Sequence, residues 1–595
     1  MTTGNGARDD DIGWATALVA LLAFTVYALA AAPAPYLLDS AELAAASFGL
    51  GVAHPPGEPV ALLWGKLFTL LPLGSVAFRV SLSQAVAGAV TVALVFRATL
   101  VLVGALDDGG GLGPWGRQLL AAIAALGFGL APGVVFNANR PEVYALAAAL
   151  GAAALMAALA SPADDPRPAL LAALLVGVGL ANHPLVAGLA AVGAVSAAVP
   201  LLRKDSGQSR MRLVLGAVAA TATGLLALAY LPARSLALHS TGAPVDTIVW
   251  GDGRSLAGLW WILSARTFAG KNAIVQGNAD PAALPFVLLE EVGPLLLLGL
   301  VGAGLTLRAP AVRRPAQAGA ILAGTVMLGA LAAGLDPSNP DIRGYLGLAL
   351  AAVAAFGAAA LAPLLGFMRR PRLAAAGAGA LLLITTALGL WRVPAVSLNA
   401  SEAADADVYR LQGTLPRAVL ATGHFETAFL VGYQRLVEGR RPDTDWVHLG
   451  FVGGPGYAAR LGAGRPDLVP LMAAHAAGAL DPGTVQALGR AVRFEAEQHL
   501  PRPLRDRLEP AGRLWSLQGQ GIGLSRLSEA AFVEAARDRQ VRGYFAWRAY
   551  QDATLACPRL PDTARQRLRE LERLVPDDVR FQALRVACNL DGQKP

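Results

Sequence analysis

"YLLDSAELAAASFGLGVAHPPGEP", residues 36–59, sets Asp39, Glu42 and His54 directly after the first long apolar run of the chain. Asp39 and Glu42 are three apart, so if the stretch is helical their carboxylates meet on one face near the helix start. The same Asp-x-x-Glu spacing before an apolar run is also a capping box, with Asp39 as N-cap and Glu42 at the third position. Pro55-Pro56-Gly57 ends a helix and forces a turn, which gives no reason for an imidazole at His54. Two carboxylates and an imidazole at a membrane surface suit general-base activation of a hydroxyl with a phosphate leaving group steadied nearby. Ionisable groups against a membrane bundle are functional candidates by default.

The membrane setting follows from composition. Over 595 residues, 55% are hydrophobic and only 15% charged, more apolar than a soluble globular chain. Runs long enough to cross a hydrocarbon core of ~30 Å as helices recur near 14–32, 81–104, 118–135, 142–159, 169–182, 185–202, 213–233, 284–307, 316–335, 344–367 and 373–391. The chain therefore reads as an all-α polytopic membrane protein of about eleven transmembrane helices over residues 1–391. Basic residues cluster in three loops, at Arg203, Lys204, Arg210 and Arg212, at Arg308, Arg313 and Arg314, and at Arg369, Arg370 and Arg372. With these spans all three lie on the side of the N-terminus, which the bias of Lys and Arg makes cytoplasmic. Residues 33–80, 136–141, 183–184, 234–283, 336–343 and everything after 392 then face outward, into the periplasm if the membrane is a bacterial inner membrane. The first run could be read as a signal peptide, but "MTTGNGARDDD" carries one Arg against three Asp and the run is long, so an uncleaved span is preferred. Much of the formal charge of +7 sits in the inward loops, and no basic, aromatic-interleaved tail suggests nucleic acid.

After 392 charged residues become frequent. "GTLPRAVLATGHFETAFLVGYQRLVEGRRPDTDWVHLGF" reads as strand, turn, helix, strand, a small exported α/β segment over 392–460. Residues 461–595 read as an exported helical domain, in which "PDTARQRLRELERLVPDDVRFQALRVACNL" is similar to one hairpin of a tetratricopeptide-like array. The only cysteines, Cys557 and Cys588, lie there; on the exported side they suit a disulfide stapling neighbouring helices, or are two small core residues. There is no P-loop, dinucleotide fingerprint, nucleophile elbow or clustered Cys/His zinc motif.

"LLDSAELAAASFGLGVAHPPGEPVALLWGKLFTLLPLGSVAFRVSLSQAV" resembles the N-terminal signature of a bacterial and eukaryotic family of GT-C-like membrane proteins, long held as a domain of unknown function, whose eukaryotic branch includes a protein O-mannosyltransferase. "NRPEVYALAAAL" at 139–150, "GLANHPLVAG" at 179–188, "YLPARS" at 230–235, "VWGDGRSLAGLWWILSARTF" at 249–268 and "GYQRLVEGRRPDTDWV" at 432–447 extend the resemblance along most of the first 450 residues. It implies a GT-C fold whose first external loop carries the catalytic carboxylate, with a polyprenyl-phosphate sugar as donor and inversion at the sugar. Asp39 then becomes the base that takes the acceptor proton, and Glu42 orients it or shares the role.

His54, Arg79, Arg140, Glu142, His183, Arg234, Trp250, Asp252 and Arg343 all fall at or near the outward membrane face in the topology above, and form the candidate substrate-binding set. Arg suits a lipid-linked phosphate because a guanidinium forks two donors onto it. Four of them have a plainer reading: Trp250 as an interfacial anchor, Arg234 as a snorkelling residue, Glu142 as a first-turn helix residue and His183-Pro184 as a break between spans. The chain departs from the family in placing Leu38 where an aromatic is common before the first Asp, and His424 and Phe425 where acidic and Asn residues are expected. The expected activity is a GT-C-type glycosyltransferase, with protein O-mannosylation first and a glycolipid or cell-wall glycan acceptor second. The expected partners are a polyprenyl-phosphate sugar, a protein or glycan acceptor and the bilayer. An Asp/Glu pair could bind Mg²⁺ or Mn²⁺, although two carboxylates make an incomplete cage. A transporter would place its ionisable residues near the midplane with internal symmetry, and a scaffold would need no carboxylate pair.

Overall fold

The computed structural model describes residues 5–588 apart from 108–110, 162–164, 205–206, 241–243, 266, 268–283, 333–339, 413–415, 497–499 and 558. An apolar helix, or a bent pair of helices, stands at each of the eleven positions read from the sequence, so the chain is a multi-pass membrane protein. Six helices are individually long enough to span: Asp11–Ala30, Val76–Leu106, Gln208–Leu238, Pro310–Ala332, Gly347–Gly366 and Pro371–Ala395. Three shorter ones are Tyr144–Leu159, Arg167–Asn182 and Pro184–Pro200.

The two bent pairs matter for the site. Gly113–Gly129 turns by 67° into Pro132–Ala138, and Leu284–Val292 turns by 94° into Leu295–Arg308. The first break falls just before Pro132, which has no N–H to continue a helical ladder and enters the next helix at its first turn. Glu291 Oε2 then accepts the Gly133 N–H at 2.7 Å, satisfying a donor left by the break. Each bend sets a short helix at an angle to a longer one, and the Gly133–Glu291 bond joins the two short helices. Where spans must come close, glycines face backbone: a Cβ on Gly302 would lie 1.8 Å from the Phe356 carbonyl oxygen.

The first inter-span connection folds inward. We label the opening helices α1 (Asn5–Ala30), α2 (Ser40–Gly49), α3 (Pro59–Thr69) and α4 (Val76–Leu106). Helix α2 is short but deeply buried, from Ser40 through Ser47. Helix α4 starts five residues before the apolar run suggested, capped by Ser75 Oγ, which accepts the Phe78 N–H at 3.0 Å.

The C-terminal domain contains a six-stranded sheet in the order β2-β1-β3-β5-β4-β6. The strands are β1 (Val419–Thr422), β2 (Asp445–His448), β3 (Val492–Phe494), β4 (Leu508–Gly512), β5 (Leu514–Leu517) and β6 (Gly523–Leu524). β1 pairs parallel with β2 and β3, and the helix Phe425–Leu436 makes the β1-to-β2 crossover. This corrects the expectation that the region beyond 460 is helical. Four strands lie there, two to five residues long and carrying Arg493, Glu509 and Pro510, too short and too charged to show a two-residue period. Helices resume from Glu529, and the Cys557 and Cys588 sulfurs are bonded across the last of them. One sheet face buries Val419, Ala421, Val447, Phe494 and Trp515 in a core of its own, while Leu420, Phe429, Tyr433 and Phe545 join the core that runs on into the bundle.

Candidate functional site

Asp39 occupies the N-cap position of α2, yet its side chain makes no capping bond. The capping-box reading therefore fails at the side chains, because Glu42 is engaged elsewhere. Glu42 Oε1 accepts the His54 backbone N–H at 2.7 Å, and its Oε2 lies 2.8 Å from His54 Nδ1. A buried carboxylate with two donors from one residue is a clamp: it fixes both the loop and the ring. His54 Nε2 in turn stands 3.8 Å from Asp39 Oδ2 and 3.7 Å from Glu58 Oε1.

The three carboxylates differ in exposure. The Asp39 side chain is 38% exposed, whereas Glu42 and Glu58 are at 0% and 2%. Burial pushes Glu42 above the ordinary carboxylate range against the pull of His54. Burial also pushes Glu58 well up, opposed by His54 and aided by Glu142, Asp39 and Glu42. For His54, burial pulls the imidazole down, but the three surrounding carboxylates overcome it and hold it well above the ordinary histidine value.

A second layer surrounds this core. Arg140 is fully buried and pairs with Glu142 at 2.6 Å and Asp341 at 2.5 Å, while its Nη1 donates to Ser40 Oγ, next to Asp39, at 3.3 Å. His183 packs on Tyr144 and Tyr345, with ring centroids 5.4 and 5.3 Å away. Trp250 arrives from a distant loop because Val52 pairs with Val249: the Trp250 N–H donates to the Val52 carbonyl at 3.0 Å, and the Trp250 ring sits 6.3 Å from His54. Phe425, Phe429 and Phe451 of the C-terminal domain close over Trp250 at 6.1, 6.3 and 4.3 Å.

Other members of the expected set stand apart from the carboxylates. Arg79 Nη1 donates to the Thr69 and Leu71 carbonyls, tying the α3–α4 connection. Arg234 donates to the Leu50 carbonyl at 2.7 Å and so supports the C-terminal end of α2. Asp252 pairs with Arg254 at 2.6 Å. Arg343 bridges Glu290 at 2.7 Å and Glu291 at 3.0 Å and lines a cavity of about 1290 Å³ between the bundle and the C-terminal domain. The sequence reading passed over Glu58, Asp341 and Tyr345. Glu58 had a signal, since it lies four residues after His54; Asp341 and Tyr345 had none, being hundreds of residues from their partners. One ligand atom each from Asp39, Glu42 and His54 lie within 4.8 Å of one another, a set that could hold a metal ion.

Residues 39–206 match the family described as "Protein O-mannosyl-transferase TMEM260 N-terminal domain". A 72-residue segment, 12% of this chain, is 47% identical to "Protein O-mannosyl-transferase TMEM260" of Mus musculus, and the chain spans 10% of that relative's length. Among solved structures, the chain is similar to ArnT from Cupriavidus metallidurans bound to undecaprenyl phosphate, with TM-score 0.49 and 14% identity over 86% of this chain and 99% of that one. It is also similar to the oligosaccharyltransferase of Archaeoglobus fulgidus in its apo form, with TM-score 0.44 and 11% identity over 82% of this chain and 70% of that one. Over the part that holds Asp39, Glu42, His54, Glu58, Arg140, Glu142 and His183, the chain is thus similar to the N-terminal domain of the protein O-mannosyl-transferase TMEM260 family.

Proposed function

We propose that this protein is a membrane glycosyltransferase that moves a sugar, mannose first, from a polyprenyl-phosphate donor to a hydroxyl group of a protein. The observation that carries the reading is the division of labour among like residues: Asp39 alone of the three clustered carboxylates is substantially exposed, while Glu42 is buried and committed to His54. An Asp39 oxygen takes the acceptor's hydroxyl proton as the acceptor oxygen bonds to the anomeric carbon. The bond from that carbon to the phosphate oxygen breaks, the phosphate leaves with the electron pair, and the sugar configuration inverts. Glu42 acts as a positioning residue through His54. The similarity of residues 39–206 to a protein O-mannosyl-transferase domain supports both the transfer chemistry and the protein acceptor. In this reading the site faces outward, with the N-terminus cytoplasmic and the C-terminal domain periplasmic in a bacterial inner membrane. The Trp250, Phe425 and Phe451 rings form one wall beside His54, suited to stacking on a sugar face.

The test is donor turnover by purified protein in lipid with labelled polyprenyl-phosphate mannose, including slow hydrolysis without acceptor. Wild type should consume donor, and Asp39→Asn should bind donor without consuming it. Equal turnover in the two proteins would remove Asp39 as the base. Silence of the wild type toward mannose and other lipid-linked sugars would remove the transferase reading.

A further inference from the structure

The cavity of about 1290 Å³ between the bundle and the C-terminal domain is lined by none of Asp39, Glu42, His54 or Glu58. It exceeds the roughly 300–1,000 Å³ of clefts that enclose drug-sized molecules, and its lining is of two kinds. Two spanning helices, α1 and Pro371–Arg392, contribute Leu29, Leu390 and Trp391. These side chains are 71%, 41% and 79% exposed, so in a membrane they meet lipid. Trp391 stands beside Arg392 at the end of its helix, where an indole anchors at the headgroup level. The C-terminal domain contributes charge. Glu290 is paired with Arg343, Glu534 accepts the Glu402 and Ala403 N–H groups at 3.0 and 2.7 Å, and Asp538 accepts the Tyr36 hydroxyl at 2.8 Å. Arg392 is engaged by the Glu290 and Glu291 carbonyls. Arg410, Arg537 and Arg539 line the same cavity and are exposed, and among the described residues their guanidinium groups form no ion pair or hydrogen bond. Three uncommitted cations are thus left against one uncommitted carboxylate, that of Glu402.

We propose that this cavity binds an anionic glycerophospholipid, its phosphate on Arg410, Arg537 and Arg539 and its acyl chains along Leu29, Leu390 and Trp391. A guanidinium forks two donors onto phosphate oxygens, and basic pockets at the ends of membrane helices take anionic headgroups in this way. The apolar lining lies on spanning helices and the free guanidinium groups on the domain beyond them, which is the order of tail and headgroup in a lipid. A soluble anion would use the arginines alone. A lipid-linked sugar donor belongs at Asp39, which does not line this cavity. The walls are fixed where the last spanning helix passes into the domain: the Leu398 N–H donates to the Ala30 carbonyl at 2.9 Å, and the Asn399 amide to the Leu29 carbonyl at 3.2 Å. A lipid seated there holds bundle and domain together across a joint that includes the bond from Tyr36, three residues before Asp39, to Asp538. Such binding is independent of sugar transfer.

The test uses full-length protein purified in neutral detergent, titrated with phosphatidylglycerol or phosphatidylcholine and read by native mass spectrometry as lipid retained per chain. We expect about one phosphatidylglycerol per chain, bound at least about tenfold more tightly than phosphatidylcholine because three arginines attract its charge. Combining Arg410→Gln, Arg537→Gln and Arg539→Gln should remove that preference. Combining Arg502→Gln, Arg507→Gln and Arg569→Gln, at exposed positions outside the cavity, should keep it. Trp391→Ala should weaken retention of both lipids several-fold. Thermal unfolding without lipid separates a lost site from lost folding, and added phosphatidylglycerol should raise the midpoint of wild type but not of the triple cavity variant. If that variant folds poorly, Arg410→Gln and Arg539→Gln singly, each expected to weaken phosphatidylglycerol and not phosphatidylcholine, carry the same test. Retention unchanged in the cavity variants, or equal retention of the two lipids by wild type, overturns the inference. Displacement of phosphatidylglycerol by an equal concentration of glycerol phosphate would mark a soluble-anion site, and displacement by polyprenyl phosphate a donor site; either overturns the phospholipid.

Discussion

Asp39 and Glu42 carry the same functional group three residues apart on one helix, and the fold gives them different chemistry by exposing one and burying the other. Asp39→Asn keeps shape and removes the proposed base, so donor turnover should fall by about 10²–10⁴-fold, the usual worth of a positioned general base, with donor binding retained. Glu42→Ala acts differently. It leaves the His54 backbone N–H and Nδ1 without their acceptor, and breaking a buried charged pair costs about 3–5 kcal/mol. Denaturant or thermal unfolding in detergent should show that loss, and Glu42→Gln, which keeps one acceptor oxygen, should show much less.

At the scale of elements, packing distance governs the bundle and ion pairs govern the sheet edge. Gly302→Ala would drive a Cβ into the Phe356 carbonyl between two spans, and no rotamer relieves a clash with backbone. The variant should unfold at clearly lower temperature, whereas Gly304→Ala, with nothing within 4 Å, should match wild type. On β2, burial pushes the Asp445 carboxyl up, but hydrogen bonds and charge from Arg465 and Arg490 outweigh it and hold the group below the ordinary aspartate range. A depressed folded-state value means that the stabilisation is complete at neutral pH. It is lost as pH falls below the unfolded-state value, about 3.9, and through the folded one. Asp445→Asn should therefore lower stability at pH 7 and flatten its decline below pH 4, read as unfolding midpoint against pH. The spans were legible because about twenty apolar residues admit few other fates. The strands beyond 460 were not, because Arg493 and Glu509 lie on strands whose partners are set by the fold.

Across the whole molecule, the end of the bundle that holds Asp39 and His54 and the C-terminal domain share one core. The Tyr433 hydroxyl accepts the Ala77 N–H at 3.0 Å, Tyr36 donates to Asp538 at 2.8 Å, and Arg435 pairs with Asp246 at 2.9 Å. Tyr433→Phe leaves the buried Ala77 N–H without its acceptor, a loss of about 1–3 kcal/mol. Because α4 begins there and α2 packs on the helix carrying Tyr433, donor turnover should fall along with stability. Unchanged turnover at a lower melting temperature would uncouple the domain from the site. Trp250 depends on the same closure, since its ring is covered by Phe425, Phe429 and Phe451 rather than by the bundle alone.

The sequence by itself determined that the chain crosses a membrane many times, near which residues it does so, and that Asp39, Glu42 and His54 lie together after the first span. Those features are local: apolar length and spacing along a helix act over tens of residues. Tertiary structure decided the rest. It turned a plausible capping box into a His54 clamp, brought Asp341 to Arg140 across two hundred positions, and set Glu58 against His54 by folding the Pro-Pro-Gly turn. Contacts between residues far apart in the chain depend on how whole elements pack, and no short window of sequence carries that information.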